Sequence, residues 1–245
     1  MKEVPPKDYH LQILHNPKDT SVIAPVDPAT EKDVDFFEKQ IISIHRLLLG
    51  KGYLPSLDAI RRAAEEADGM FATNQFSTDI PQFLRGRQPE YGERRVLAVE
   101  EVFRELGFVT REELQQKPED VIATDSPTVQ RHDPEIPYKP KTKEMADSEP
   151  SFAMGDWVQV AAQTKPGHVR VPAYLLGKTG EIIGFSGMFL NPEDVAHFRK
   201  QVTRLPLYLV EFDFETVWQA ACPKRCVGDK ITAEIYGPWL SPVSG

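Results

Sequence analysis

The fold of this chain is indicated most directly by one run of β-forming residues, Leu207-Tyr208-Leu209-Val210-Glu211-Phe212. Three similar short runs are Trp157-Val158-Gln159-Val160, Gly180-Glu181-Ile182-Ile183-Gly184 and Ile231-Thr232-Ala233-Glu234-Ile235-Tyr236. Turn signals flank them, at Gly155-Asp156, Lys178-Thr179-Gly180 and Gly228-Asp229. Several short strands so close together predict a small, SH3-like β-barrel, and one short helix is predicted over residues 191–197.

Upstream of these strands the apolar residues recur with helical spacing. The pattern predicts helices over residues 36–49, 57–65 and 93–106, and a capping box at residues 110–113 predicts the start of a fourth. Ser56 is positioned to cap the second helix, and Gly107 ends the third. In the first helix, the residues at helical spacing are Phe37, Ile41, Ile44 and Leu48. In the third helix, the residues expected to face inward are Val96, Val99, Phe103 and Leu106.

A proline-rich segment separates these two parts of the chain. It contains Pro118, Pro127, Pro134, Pro137, Pro140 and Pro150, and few large apolar residues. Such a composition cannot bury enough surface to fold alone. We therefore predict an α+β, multidomain protein with an extended N-terminal arm (1–30), a helical domain (31–117), a Pro-rich linker (118–150) and a barrel domain (151–245).

The composition restricts the class of partner. The chain has 245 residues, a net charge of -8 and 40% hydrophobic residues. This acidic balance argues against nucleic acid, which needs Lys and Arg to replace counterions, and against an anionic membrane surface. No stretch approaches the roughly 18 apolar residues of a membrane helix, and no apolar run follows Lys2 as in a secretory signal. Cys222 and Cys226 are too few for a disulfide framework, so we expect ordinary reduced thiols or one minor disulfide, and a cytoplasmic protein.

Two local features could carry chemistry. If residues 166–174 are extended, His168 and Arg170 share one face, and the flanking prolines stiffen the segment, as suits binding of a partner's oxyanion. Arg61 and Arg62 are the second candidate, because one of them should lie near a buried edge of its helix. Each feature has an ordinary alternative, a solvated surface arginine. The sequence contains no Gly-rich phosphate loop, HExxH motif or Gly-x-Ser-x-Gly elbow, so a self-sufficient active site is not indicated.

A string of motifs resembles the β subunit of nitrile hydratase. The motifs are Phe152-Ala153-Met154-Gly155-Asp156-Trp157-Val158, Pro166-Gly167-His168-Val169-Arg170-Val171-Pro172-Ala173-Tyr174, Gly177-Lys178-Thr179-Gly180, Asn191-Pro192-Glu193, Val217-Trp218 and Trp239-Leu240-Ser241-Pro242. The helical part is similar to the family's N-terminal domain through Ser56-Leu57-Asp58-Ala59-Ile60-Arg61 and residues 93–114. An apparent insertion lies at about residues 68–88.

The resemblance implies one subunit of a heteromeric hydro-lyase. In that family the α subunit binds Co(III) or Fe(III) through a cysteine cluster with oxidised members, and the complex hydrates a nitrile to an amide. This chain would hold no metal, would pair with an α subunit in an αβ heterodimer or a higher heteromer, and would close the site over a small nitrile. Arg170 and Arg61 match the family's arginines that bond the oxidised sulfurs, and Tyr91 matches a substrate-pocket tyrosine.

Several alternatives remain at this point. Leu176 stands where the family usually has a basic residue, and Ser186 stands where a His-Gly pair is common. These departures leave the identity of the substrate open. The chain could be a thiocyanate hydrolase-like subunit, since that relative divides the same two parts between two chains. It could also be a non-catalytic activator or metallochaperone for the α subunit, or an SH3-like protein-binding module with a helical appendage.

Overall fold

The computed structural model describes residues 3–7, 35–73, 84–87, 89–115, 141–143, 150–162, 167–168 and 170–243. Most of the predicted arm and linker, part of the predicted insertion, and Pro166 and Val169 of the motif segment therefore lie outside the described residues. Helices precede an antiparallel sheet, which confirms the predicted α+β class. No helix among these residues has the length and apolarity needed to cross a bilayer.

The first helices start where their side chains can cap them. Helix α1 (Phe36–Gly50) begins at Asp35, whose carboxylate accepts from Glu38 N at 2.7 Å while the Glu38 side chain accepts from Asp35 N at 3.1 Å. Helix α2 (Leu57–Thr73) begins after Ser56, whose Oγ accepts from Ala59 N at 3.1 Å. Such caps satisfy backbone donors that the first turn leaves free.

Helix α2 is longer than predicted. It continues to Thr73, so the first residues of the predicted insertion extend it by two turns. Buried Ala67 and Phe71 carry its apolar face onward, and Asp68 and Gly69 between them hid this continuation in the sequence.

Two more helices complete this part of the chain. Helix α3 (Tyr91–Leu106) ends at Gly107, which adopts the left-handed conformation that closes a helix (φ 76°). Helix α4 (Arg111–Gln115) follows the predicted capping box, with Glu113 N donating to Thr110 Oγ1 at 3.2 Å. The inward face of α3 is centred on Ala98 and Val102, whereas Val99, Phe103 and Leu106, predicted to face inward, are only partly buried.

The sheet contains the four predicted strands and two further ones. Its strands are β1 (Lys141–Lys143), β2 (Trp157–Val160), β3 (Thr179–Leu190), β4 (Gln201–Asp213), β5 (Lys230–Tyr236) and β6 (Leu240–Pro242). The antiparallel order is β6-β2-β3-β4-β5, and β1 pairs in parallel with the start of β4. Strands β5 and β6 do not pair with each other in the described structure, so the sheet is open and the predicted barrel closure stays a prediction.

The register of the sheet places alternate side chains in one core. Val158, Ile182, Tyr208, Val210 and Ile235 point inward and are buried together. Gly180 is required within this layer, because a Cβ there would meet the carbonyl oxygen of Glu211 at 2.5 Å. The open sheet therefore has a continuous apolar interior.

The helices and the sheet are joined through helix α5 (Pro192–Ala196), which packs against α2. Phe198 follows α5 in a left-handed conformation (φ 54°) and inserts its ring into the core of the helical part. A non-glycine residue in this conformation costs on the order of 1 kcal/mol, which the buried ring offsets. Helix α6 (Phe214–Trp218) connects β4 to the turns before β5.

Candidate functional site

The charged residues of α2 form two separate stripes. Asp58, Arg61 and Glu65 recur at spacings of three and four and share one face, whereas Arg62 and Glu66 share the neighbouring face. The first stripe points toward the segment that carries His168 and Arg170. The second is buried beneath α3 and α5.

The buried stripe is a saturated ion-pair network. The side chain of Arg62 is only 1% exposed. It donates to Glu66 Oε1 at 3.0 Å and to Ala196 O at 3.0 Å. It also forms a bidentate ion pair with Glu105. Lys7 adds contacts of 2.9 Å to Glu66 and 3.2 Å to Glu101. Arg62 is therefore the arginine at the buried edge, and it is fully occupied by its own chain.

This network also contains the only cluster of possible metal ligands found among the described residues. Oxygens of Glu66, Glu101 and Glu105 lie within 4.8 Å of one another. Arg62 and Lys7 already bind these carboxylates and neutralise much of their charge. The cluster is suited to holding the helices together rather than to holding a cation.

The exposed stripe converges on Asp58. Its Oδ1 lies 3.4 Å from Arg61 Nη1 and 3.5 Å from His168 Nε2. Burial acts to raise the pKa of Asp58, but the imidazole of His168 and the positive charges of Arg61 and Arg170 outweigh it, so the pKa lies below its usual value. One carboxylate is therefore surrounded by the cations of two distant segments.

His168 is held in place from three sides. Its Nδ1 lies 3.0 Å from Glu65 Oε2, its Nε2 faces Asp58, and its backbone N–H donates to His197 Nε2 at 3.3 Å. Burial acts to lower the pKa of His168, but the two carboxylates raise it above the usual value. The segment that carries Arg170 is thus fixed to α2 by an imidazole that lies between two carboxylates.

His197 anchors the same segment as a neutral ring. Its Nδ1 bonds Val4 O at 3.0 Å, and its Nε2 accepts from the His168 backbone. Burial and the nearby charge of Arg62 lower the pKa of His197 to about 4, so the ring is neutral at pH 7. A neutral ring with one donor and one acceptor nitrogen fits both bonds.

Arg170 is half-buried and makes no hydrogen bond or ion pair within the described part of the chain. It lines a cleft of about 110 Å³ together with His168, Tyr236, Trp239, Asn191 and Thr203. Pockets for small ligands usually measure ~300–1,000 Å³, so this cleft is too small to enclose a substrate by itself. A guanidinium at its wall remains available to a group from outside the chain.

The predicted site residues are thus only partly brought together. Arg61 and Arg170 share Asp58, but Tyr91 lies at the other end of α2 and α3, where Arg94 of α3 pairs with Asp68 at 2.9 Å. Asp58 and Asp68 are ten residues apart on α2, on the order of 15 Å at 1.5 Å per residue. Tyr91 is 39% exposed and its ring lies beneath the guanidinium of Arg95, at 4.5 Å.

Sequence reasoning missed the residues that organise this site. Asp58, Glu65, His197 and Tyr236 were not singled out, although they fix His168 or surround Arg170. The spacing of Asp58, Arg61 and Glu65 on one helical face was the available signal. No pattern in the sequence could indicate His197, because its role depends on contacts with residues far along the chain.

Comparisons with known proteins agree with this architecture. Residues 140–242 match the family described as nitrile hydratase beta subunit, C-terminal. The nitrile hydratase subunit beta of Rhodococcus sp is 24% identical over 239 residues, which cover 92% of this chain and 93% of the relative. That of Pseudomonas chlororaphis is 28% identical over 164 residues, covering 66% of this chain and 64% of the relative.

Among solved structures, recombinant apo thiocyanate hydrolase from Thiobacillus thioparus matches with a TM-score of 0.37 and 21% identity, over 41% of this chain and 82% of that chain. The family match of the C-terminal part and the nearly full-length similarity to the Rhodococcus sp relative confirm the resemblance found in the sequence motifs. Residues 140–242 of this chain thus resemble the C-terminal part of a nitrile hydratase β subunit, and the chain is similar to the Rhodococcus sp β subunit over nearly its full length.

Proposed function

We propose that this chain is the β subunit of a nitrile hydratase-type metalloenzyme that hydrates a small nitrile to its amide. It pairs with an α subunit that holds the metal, closes the active site and presents Arg61 and Arg170 to the oxidised cysteine ligands there. The convergence of these two arginines on Asp58, from distant parts of the sequence, is the observation that carries the proposal.

The chemistry of such a centre requires arginine. Oxidised cysteines place excess negative charge on a buried group, and this charge must be neutralised and hydrogen-bonded. A guanidinium stays protonated there and donates two parallel hydrogen bonds, which an ammonium cannot do. When bound in the α subunit, the cobalt or iron supplies Lewis-acid activation of the nitrile or of water.

The state of Arg170 and Arg61 in this chain supports that role. Among the described residues, Arg170 donates no hydrogen bond, and exposed Arg61 has a single 3.4 Å contact, with Asp58. In the isolated chain Asp58 is the counter-anion of both. On assembly, the sulfur oxygens of the α subunit take over part of this task, while Glu65 and His197 keep the Arg170 segment in position through His168.

The proposal is tested by co-expressing the chain with its α subunit and measuring the conversion of acetonitrile to acetamide. The isolated chain should be inactive, and the complex should be active with one metal per αβ pair. Arg170→Lys keeps the charge but loses the fork, so activity should fall at least ~10-fold without a change in melting temperature. Arg204→Lys is the matched control, since Arg204 is exposed and its one hydrogen bond within the described residues is to Met188 O.

Each other result counts against a defined part of the proposal. A fully active Arg170→Lys complex contradicts the role of that arginine. A chain that dissociates after metal loading and leaves active enzyme behind indicates an activator of the α subunit. Turnover of thiocyanate in place of nitriles indicates the thiocyanate hydrolase-like alternative.

A further inference from the structure

Four arginines of the helical part are at least partly buried in the described structure. Three of them bind carboxylates: Arg62 binds Glu66 and Glu105, Arg94 binds Asp68 and Arg104 binds Glu101. Arg95 has no acidic partner within the described ranges. Its Nη1 lies 2.7 Å from Nδ1 of His45, and its guanidinium carbon lies 4.5 Å above the ring of Tyr91.

The contact with His45 determines where its proton is. A guanidinium only donates, so His45 Nδ1 accepts and the ring hydrogen resides on Nε2. His45 is only 3% exposed, and burial together with the charge of Arg95 lowers its pKa, so the imidazole is neutral. Its Nε2 is then a buried donor with no acceptor among the described residues, and Arg95 Nε is a second one.

Two buried donors lie beside a positive charge that has no counter-ion among the described residues. Together they favour an anion that accepts hydrogen bonds. A buried donor without a partner costs about 1–3 kcal/mol, so native structures usually provide an acceptor. Because Nη1 is used, Arg95 retains Nε and Nη2, the edge that matches the two oxygens of a carboxylate. Tyr91 covers the guanidinium and is itself 39% exposed, so a carboxylate can bind here only if the Tyr91 ring moves aside.

Exposed apolar residues of α1 lie beside this site. Phe37 is 46% exposed and lies against Gly92, the neighbour of Tyr91, and Ile44, which precedes His45, is 50% exposed. Neighbouring apolar side chains of this size mark contact sites with other proteins. Arginine and tyrosine are typical of the central anchors of such interfaces.

We propose that Arg95, His45 and Tyr91 form a binding site for a carboxylate of the partner α subunit, next to the exposed Phe37 and Ile44 of α1. This inference rests on the proposed function, since it assumes that an α subunit is present. The site is separate from Asp58, Arg61 and Arg170, which face the other end of α2. It contributes to assembly and not to the hydration chemistry.

The test measures the affinity of the full-length chain for its purified α subunit by biolayer interferometry. Arg95→Met removes the charge at similar volume and should weaken binding at least ~10-fold, whereas Arg95→Lys should recover part of the loss. The control is Arg94→Met, the adjacent arginine that Asp68 already neutralises, with less than a ~3-fold effect expected. Binding of the wild-type chain should weaken more steeply with NaCl than that of Arg95→Met.

Melting temperatures of the isolated variants separate a binding role from a structural one. Arg95→Met should melt within a few degrees of the wild-type chain, and Arg95→Gln provides a second neutral variant if Met does not fold. Unchanged affinity in a folded neutral variant overturns the inference alone. If sodium acetate stabilises the wild-type chain while the neutral variants bind the α subunit with unchanged affinity, the site binds a free carboxylate and not the α subunit. A wild-type chain that binds no α subunit overturns this inference and the proposed function together.

Discussion

Arg61 and Arg62 are adjacent in the sequence, but their surroundings in the fold are opposite. Arg62 is buried and bound by Glu66, Glu105 and a backbone carbonyl, whereas the side chain of Arg61 is 44% exposed and has a single 3.4 Å contact. Arg170 resembles Arg61 in lacking a close partner in the described structure. The comparison shows that Arg62 holds parts of the chain together, whereas Arg61 and Arg170 lack a close partner among the described residues, as their proposed role requires.

The largest effect that would test this comparison is the loss of Arg62. Arg62→Met should lower the free energy of unfolding by about 3–5 kcal/mol, because Glu66 and Glu105 keep buried charges without their main counter-ion. Urea unfolding followed by circular dichroism measures the change. Arg61→Met is the matched control, with less than about 1 kcal/mol expected for an exposed pair. Similar losses in both variants would erase the distinction between the two arginines.

The next effect concerns the support of the Arg170 segment at acid pH. The pKa of His197 is about 4 in the folded chain and 6.5 in its ordinary state, so the unfolded chain binds more protons between these values. The stabilisation by His197 is thus complete above pH 6.5 and is lost as the pH falls toward 4. The loss is about 3 kcal/mol, at roughly 1.4 kcal/mol per pKa unit.

This pH dependence can be assigned with one substitution. Unfolding free energies measured at pH 7 and pH 4.5 should differ less in His197→Gln than in the wild-type chain. An equal pH dependence in both proteins would show that other groups cause the acid destabilisation.

The smallest effect concerns the charge balance around Asp58. Asp58→Asn removes one of the two carboxylates that raise the pKa of His168, so that pKa should move down toward its ordinary value in an NMR titration. Because the pKa of His168 is raised on folding, its stabilisation is present below pH 6.5 and is lost as the pH rises through the folded value. The overall loss of stability should stay below about 1 kcal/mol.

A distant carboxylate provides the control for this titration. Asp213→Asn breaks the exposed 2.6 Å pair with Lys230 and should leave the pKa of His168 unchanged. An unchanged pKa of His168 in Asp58→Asn would show that Glu65 alone sets its charge.

Much of the fold could be predicted because its signals are local. The capping boxes at Asp35 and Thr110 and the left-handed Gly107 involve residues three or four positions apart, so the sequence contains the whole interaction. The four predicted strands were also found. Their true lengths were not predictable, since β3 and β4 extend by pairing with each other from Glu181/Glu211 to Leu190/Arg204.

The candidate site was predictable only in part. His168 and Arg170 are two residues apart in one motif, and the resemblance to a family singled out Arg61. Which of Arg61 and Arg62 is buried depends on Glu105 and Ala196, which lie 43 and 134 positions from Arg62. Helical periodicity in α1 predicted a helix, but it could not show that Phe37 and Ile44 remain exposed.

The sequence alone determined the helix starts, the four main strands and the arginine motifs, because propensities, caps and short motifs depend on neighbours along the chain. Only the tertiary structure decided that Asp58, His168 and Arg170 meet, that Arg62 is saturated and that Arg95 is not. These outcomes depend on the burial of charge, and a charge is stable in the interior only when residues from distant segments reach it.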